Sequence, residues 1–97
     1  MCGILGSIGQ FKNINEESFN QALLKANFRG PDFSDSHNFT SCNNKIFLGH
    51  NRLSIIDLNP TGNQPKLSQS KRNMIIFNGE IYNHLELRRK FPNEFIW

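Results

Sequence analysis

Cys2 is the residue whose type and position offer the clearest chemistry in this sequence. Removal of Met1 would leave Cys2 with a free α-amine, so that one residue would carry both a nucleophilic thiol and a base. Only a few per cent of free thiols are ionised at pH 7, whereas about 15% of α-amines are unprotonated there, so the amine is able to accept the thiol proton. The alternative is an ordinary buried cysteine beside a start methionine.

The residues after Cys2 predict a short buried strand that holds it in place. Ile4, Leu5 and Ile8 follow directly, with small residues between them. Such a strand would fix the terminus, which would otherwise fray.

A helix is predicted from about Glu16 to Asn27, with Asn15 as its N-cap. Glycine and proline within residues 29–32 should end it. Apolar residues recur three and four positions apart along the helix, and the resulting buried stripe is Phe19, Ala22, Leu23 and Ala26.

A hairpin is predicted after the helix. Its strands cover residues 36–41 and 45–50, and its turn is Asn43-Asn44, because paired Asn residues tolerate the left-handed backbone of a tight hairpin.

Three further segments have weaker patterns. Apolar and polar residues alternate over residues 53–55 and again over residues 56–58, but the alternation shifts by one residue between the two segments. We therefore expect a bend or bulge there. Residues 59–65 are expected to form a loop, and residues 94–97 resemble the opening of a strand.

The second half is predicted to contain a central strand and a helix. Residues 74–77 are a continuous apolar run, which is typical of a strand covered on both faces. The helix would begin at Ile81 or Asn83, bury Leu85 and end at Pro92.

Length and composition indicate one small domain. The 97 residues, with 37% hydrophobic residues and nine Phe, are compatible with a single folded core. No apolar stretch of about 18 residues and no signal peptide are visible. Cys2 and Cys42 do not make a disulfide framework, so we expect a reducing, cytoplasmic environment.

Charge and histidine placement favour neither nucleic-acid nor metal binding. The net charge is +3, and the basic clusters at residues 71–72 and 88–90 lack the interleaved aromatic residues of a stacking platform. His37, His50 and His84 stand far apart, and none forms a ligand pair with a cysteine. We therefore expect no nucleic-acid partner, no membrane partner and no metal.

Four stretches, taken in order and at their spacing, resemble the glutaminase domain of glutamine-hydrolysing asparagine synthetases. That family belongs to the class II glutamine amidotransferases, which use an N-terminal nucleophile. The match covers residues 1 to about 89, and the second and fourth stretches favour the asparagine synthetase branch over the sugar-phosphate and phosphoribosyl branches. The stretches are Met1-Cys2-Gly3-Ile4, Arg29-Gly30-Pro31-Asp32, His50-Asn51-Arg52-Leu53-Ser54-Ile55-Ile56-Asp57 and Phe77-Asn78-Gly79-Glu80-Ile81-Tyr82-Asn83.

The resemblance implies hydrolysis of the glutamine side-chain amide to glutamate and ammonia. Cys2 would attack the amide carbon and form a thioester, with its α-amine as the proton acceptor. Asn78 and the Gly79 N–H would form the oxyanion hole. An Asn-Gly pair is also a common turn signal, which is the alternative for these two residues.

The resemblance also implies how the substrate is recognised. Arg52 would bind the α-carboxylate bidentately, Glu80 would hold the α-ammonium, and residues 29–32 would shape the wall of the site. The alternatives are a surface Arg after a strand and an ordinary acid in the first turn of a helix. The implied substrate-binding residues are Arg52, Leu53, Ser54, Ile55, Ile56, Asn78, Gly79 and Glu80.

The implied fold is α+β, an α/β/β/α sandwich of the N-terminal-nucleophile hydrolase type, with only its first portion in residues 1–97. No cofactor is expected in this portion, because ATP and Mg belong to the synthetase domain, which is expected to be absent. Glutamine is the expected substrate, and the expected partner is a synthetase domain or ammonia acceptor in cis or in trans. There the ammonia would serve the ATP-dependent amidation of aspartate.

Two departures from the family pattern leave a second hypothesis open. A second acid that grips the substrate ammonium would lie beyond Trp97, and Phe28 stands where family members often have His. We therefore expect weak or absent glutaminase activity from the isolated chain. The alternative is a truncated, catalytically weak or inactive relic that acts as a binding or assembly module.

A partial sandwich would leave strand edges and an apolar sheet face uncovered, so we predict that the chain self-associates into homo-oligomers or aggregates. Sedimentation velocity over a range of protein concentrations measures this association. A single monomeric species throughout that range would contradict the prediction.

Overall fold

The computed structural model describes residues 1–10, 14–55 and 58–94, and within them the chain is a mixture of helices and antiparallel sheets. The α+β class predicted from the sequence is therefore confirmed. Two short 3₁₀ helices lie at Asn27–Arg29 and Pro60–Gly62. The other elements are β1 (Gly3–Gly9), α1 (Glu16–Lys25), β2 (Phe33–Ser41), β3 (Asn44–Arg52), β4 (Lys66–Leu67), β5 (Met74–Ile75) and α2 (His84–Lys90).

Strand β3 is the centre of the larger sheet, whose order is β1-β3-β2. It pairs antiparallel with β1, with Gly3 opposite Asn51, and antiparallel with β2, with Phe33 opposite Arg52. This register carries the residue before Gly3 to the carboxyl end of β3. The pairing of β1 therefore decides where Cys2 lies.

Helix α1 covers one face of this sheet. Phe19 and Leu23 are each 3% exposed, and the Phe19 ring stacks on Phe47 with a centroid separation of 5.1 Å. Asn15 caps the helix as predicted, because its side chain accepts a hydrogen bond from the Ser18 N–H at 2.8 Å. Ala22, placed on the buried stripe by its spacing, is exposed.

Asn51 joins three elements from a completely buried position in β3. Its Oδ1 accepts a hydrogen bond from the Ser34 hydroxyl at 2.7 Å, and its Nδ2 donates to the Leu23 carbonyl at 2.8 Å. A buried amide without such partners would be costly, so these two bonds fix α1 and β2 relative to β3.

The hairpin turn lies one residue earlier than predicted. Cys42 and Asn43 have φ values of 49° and 62°, and Asn44 is already paired with Ser41 at the start of β3. Two left-handed central residues are what a two-residue hairpin requires. The predicted turn, Asn43-Asn44, is therefore wrong by one position. Asn43 adopts the left-handed conformation as expected, but its partner in the turn is Cys42, and the residue type of Asn44 did not distinguish it from Asn43.

The predicted central strand over residues 74–77 is wrong. Only Met74–Ile75 form a strand, which pairs with Lys66–Leu67, while Ile75 is 57% exposed and Phe77 is 42% exposed. An apolar run indicates a buried strand only where other elements cover it, and within the described ranges this sheet has just two strands.

The predicted second helix is confirmed as α2, but the prediction that it buries Leu85 is wrong, because that side chain is 58% exposed. The bend expected near residues 53–58 is partly described, with a bend at Ile55. Ile56 and Asp57, and residues 95–97 of the predicted final strand, lie outside the described residues. In the described parts, neither helix has the length and apolar character needed to cross a membrane.

Gly30 allows the chain after α1 to pass directly against β3. It is buried, and a Cβ built on it would lie 2.6 Å from the carbonyl carbon of Arg52 and closer still to the Asn51 oxygen. Those atoms belong to the backbone of the central strand, so they are not able to move aside at low cost.

We therefore predict that Gly30→Ala lowers the free energy of unfolding by about 1–3 kcal/mol or more through overpacking. Gly9→Ala is the matched control, because nothing lies within 4 Å of a Cβ there, and its effect should stay within about 0.5 kcal/mol. Urea denaturation measures both. Equal effects of the two substitutions would refute the close packing at Gly30.

Candidate active site

The Cys2 thiol lies at the carboxyl end of β3, as the β1–β3 register requires. The Leu53 N–H donates to Sγ at 3.3 Å, and the Leu53 carbonyl lies 3.8 Å from Sγ. Cys2 is half-buried. The thiol is thus held by the backbone immediately after β3.

A cleft of about 490 Å³ opens beside this thiol, which is the size of a small-molecule site. Of the catalytic and substrate-binding residues implied by the sequence, all but Ile56 line it; Ile56 lies outside the described residues. Residues 29–32, which were expected to shape the wall, are not among the lining residues. The cleft also contains Met1 and Tyr82, which sequence analysis did not assign to the site, although both belong to the matched stretches. The complete lining is Met1, Cys2, Arg52, Leu53, Ser54, Ile55, Asn78, Gly79, Glu80 and Tyr82.

Arg52 is a buried arginine that lines the cleft. Its side chain is only 7% exposed, so the alternative of a surface arginine is wrong. Nη1 donates to the Asn59 carbonyl at 2.7 Å and to Asn63 Oδ1 at 2.8 Å. These two acceptors fix the plane of the guanidinium, which is the property that bidentate recognition of a carboxylate needs.

Asp32 holds the wall of the cleft next to Arg52. Its Oδ2 accepts a hydrogen bond from the Ser54 N–H at 2.7 Å, and its own N–H donates to the Arg52 carbonyl at 3.0 Å. β3 ends at Arg52, so the Asp32 side chain continues the backbone pairing past the end of the strand. The sequence assigned the stretch 29–32 to the wall but did not single out this carboxylate.

Asn78 and Gly79 follow β5 on the other side of the cleft, and both are exposed. The Phe77 ring folds back over Gly79, where an added Cβ would lie 2.8 Å from its Cζ. A residue that sequence analysis missed, Gln64, holds the backbone just before them. Its Oε1 accepts from the Phe77 N–H at 2.6 Å, and its Nε2 donates to the Phe77 carbonyl at 3.2 Å.

Glu80 lines the cleft and precedes α2, which begins at His84. The alternative of an ordinary acid in the first turn of that helix is therefore wrong, since the acid in that turn is Glu86.

His50 is the first residue of the third matched stretch, but the sequence analysis assigned it no role in the site. It is fully buried, and neither ring nitrogen has a hydrogen-bond partner among the described residues. Burial lowers the pKa of His50 below its usual value of 6.5; the nearby Phe77 carbonyl opposes this shift and the positive charge of Arg52 adds to it. The imidazole is therefore neutral at physiological pH. The spacing of the histidines gave no signal of this burial.

Within the described ranges, no group of three or more His, Cys, Asp or Glu residues is arranged to hold a metal ion. The cleft instead brings together a thiol, a buried guanidinium, an amide side chain and a carboxylate. A thiol can attack an amide carbon, and a guanidinium and a carboxylate can pair with the two opposite charges of a zwitterionic molecule.

Comparison with known proteins defines the class to which this fold and cleft belong. Residues 1–95 match the glutamine amidotransferase domain family, and the chain belongs to that family. No solved structure matches the chain significantly.

Several similar proteins are asparagine synthetases. The glutamine-hydrolysing asparagine synthetase 1 of Lotus japonicus is 38% identical over 96% of this chain, and asparagine synthetase 2 of Arabidopsis thaliana is 41% identical over 96%. A putative asparagine synthetase of Methanocaldococcus jannaschii is 38% identical over 97% of the chain. The chain spans 15%, 16% and 21% of the lengths of these three relatives, respectively.

The buried His50 predicts a specific dependence of stability on pH. Its pKa is lower in the folded state than in the unfolded state, so the unfolded chain takes up the proton first as the pH falls below about 6.5. Stability should therefore decrease from that pH down to the folded pKa, with a slope of up to about 1.4 kcal/mol per pH unit.

Urea denaturation between pH 5.5 and 7.5 measures this slope. His50→Gln should flatten it whatever the variant's absolute stability, whereas His84→Gln, at an exposed position, should leave it unchanged. An identical slope in the wild type and in His50→Gln would contradict the burial of a neutral imidazole.

Proposed function

We propose that this chain carries the glutaminase chemistry of a class II glutamine amidotransferase and hydrolyses L-glutamine to glutamate and ammonia. The observation that carries the proposal is the convergence of Cys2, the buried Arg52 and the Asn78-Gly79 pair on one cleft. Family membership supports glutamine as the substrate.

The nucleophile is the Cys2 thiol after removal of Met1. The α-amine accepts the thiol proton as sulfur attacks the side-chain amide carbon of glutamine, and the carbonyl oxygen becomes negative. When the tetrahedral intermediate collapses, the carbon–nitrogen bond breaks and the amine returns the proton to the departing ammonia. Water then cleaves the thioester, which releases glutamate and restores the thiol.

The negative oxygen of the intermediate needs donors that are already in place. Asn78 Nδ2 and the Gly79 N–H are the proposed donors, and both residues line the cleft. Loss of one such donor typically costs about 100-fold to 1,000-fold in rate. Glycine at position 79 leaves room for the Phe77 ring, whose Cζ would lie 2.8 Å from an added Cβ.

Recognition of the free amino acid requires partners for both of its charges. Arg52 is the proposed partner of the α-carboxylate, and its fixed guanidinium plane supports this role. Glu80 is the proposed partner of the α-ammonium. Backbone groups of residues 53–56 would complete the pocket; Asp32 fixes the backbone of Ser54 within this segment.

The fold around this chemistry is proposed to be the N-terminal-nucleophile hydrolase sandwich, on the strength of the family alone. The ammonia is proposed to pass to a synthetase domain, in cis or in trans, because the similar proteins are asparagine synthetases. ATP and Mg would act in that domain, where aspartate would be amidated.

A chloromethyl ketone analogue of glutamine tests the proposal directly. We predict a stoichiometric adduct in which a sulfur–carbon bond forms and chloride leaves, detected by intact-mass analysis and mapped to Cys2 of chains that lack Met1. Excess L-glutamine should protect the thiol, and excess D-glutamine should not. Only one configuration of the α-carbon places the carboxylate at Arg52 and the ammonium at Glu80 while the side-chain amide reaches the thiol.

Two variants serve as controls for this labelling. Cys2→Ser should abolish the adduct, whereas Cys42→Ser should label at the wild-type rate, because Cys42 is exposed in the β2–β3 turn and away from the cleft. Folded protein that retains Met1, or whose Cys2 reacts with iodoacetamide but not with the analogue, would refute the proposal. That result would favour the binding or assembly module.

A further inference from the structure

Among the described residues, the backbone around Phe77 is held by a side chain and not by a neighbouring strand. β5 ends at Ile75, so the β4–β5 pairing does not extend to Phe77. Gln64 replaces the missing neighbour, because its amide accepts from the Phe77 N–H at 2.6 Å and donates to the Phe77 carbonyl at 3.2 Å. A carboxamide carries one acceptor and one donor, so it can bond the N–H and the carbonyl of the same residue, as a paired strand would.

These two hydrogen bonds hold the peptide units on either side of the Phe77 Cα. The Phe77 carbonyl belongs to the second of these, which joins Phe77 to Asn78, so its orientation sets the direction of the chain at Asn78 and Gly79. A displacement of about 1 Å at a reacting group can cost roughly 100-fold in rate. The exposed Asn78-Gly79 segment therefore depends on an anchor just before it.

The residue next to Gln64 holds the opposite side of the cleft. Asn63 Oδ1 accepts from Arg52 Nη1 at 2.8 Å, and the neighbouring Asn59 carbonyl accepts from the same nitrogen at 2.7 Å. Adjacent side chains, Asn63 and Gln64, thus tie the carboxyl end of β3 to the segment after β5. One short stretch of chain sets the distance between the two sides of the cleft.

We propose that Gln64 is a positioning residue for the oxyanion donors Asn78 and Gly79. This inference rests on the proposed function, because it assigns Gln64 a part in that reaction. Gln64 acts through the Phe77 backbone and does not line the cleft itself. Its loss should therefore slow bond formation at the bound substrate while leaving the affinity for the substrate unchanged.

The decisive measurement is the labelling of Cys2 by the chloromethyl ketone analogue of glutamine, whose ketone oxygen takes the place of the substrate amide oxygen. In Gln64→Met, which keeps the length of the side chain but loses both hydrogen bonds, the labelling rate at saturation should fall about tenfold to a hundredfold. The half-saturating concentration should stay at its wild-type value, and so should the rate of iodoacetamide alkylation at Cys2, which needs no oxyanion donor.

Three further variants separate positioning from general loosening. Gln64→Glu keeps an acceptor for the Phe77 N–H and loses the donor, so its loss of rate should be intermediate. Gln69→Met, at an exposed position between β4 and β5, should behave as the wild type. Asn63→Leu removes an Arg52 partner, so it should raise the half-saturating concentration more than it lowers the saturated rate.

Amide hydrogen exchange checks the anchor independently of any reaction. Exchange at the Phe77 N–H should quicken in Gln64→Met and stay unchanged in Gln69→Met. A Gln64→Met chain labelled at the wild-type rate, or slowed equally toward the analogue and iodoacetamide, would overturn the positioning role. A wild-type chain whose Cys2 iodoacetamide modifies and the analogue does not would instead overturn the proposed function, and the positioning role with it.

Discussion

The antiparallel pairing of β1 with β3 is the constraint on which the rest of the candidate site depends. With Gly3 opposite Asn51, the thiol of Cys2 comes to the end of β3, where the Leu53 N–H lies 3.3 Å from Sγ. A slip of one residue would turn the side chains of β1 to the opposite faces and move the thiol along the strand. The burial of Gly3 against Asn51 and the packing of α1 on the same sheet oppose such a slip.

The end of β3 buries three consecutive polar residues, and each meets the cost of burial differently. Asn51 satisfies its amide with partners in β2 and α1, and so it serves the fold. Arg52 lines the cleft and donates to two acceptors in the segment after β3. His50 lacks hydrogen bonds to described residues and stays neutral instead. Residues that stabilise the fold and residues of the candidate site therefore lie next to each other at the end of β3.

The cleft is assembled mostly by side chains that bind backbone groups beyond the ends of strands. Asp32 extends β3 pairing to Ser54, and Gln64 extends β5 pairing to Phe77. Each of these bonds replaces a strand neighbour with a single side chain. Such a contact fixes a loop in one conformation without covering it, which keeps the groups at its tip accessible. The exposure of Asn78 and Gly79 is consistent with this arrangement.

The sequence by itself determined the elements whose signals are local. The Asn15 cap and the spacing of Phe19 and Leu23 specified α1, since capping and helical periodicity act within a few residues. The motif residues also predicted the members of one cleft, although their roles remain predictions. Only the tertiary structure decided that Ile75 is exposed, because burial depends on which elements cover a strand. It likewise revealed Gln64, whose hydrogen bonds to a backbone 13 residues away follow no periodic pattern.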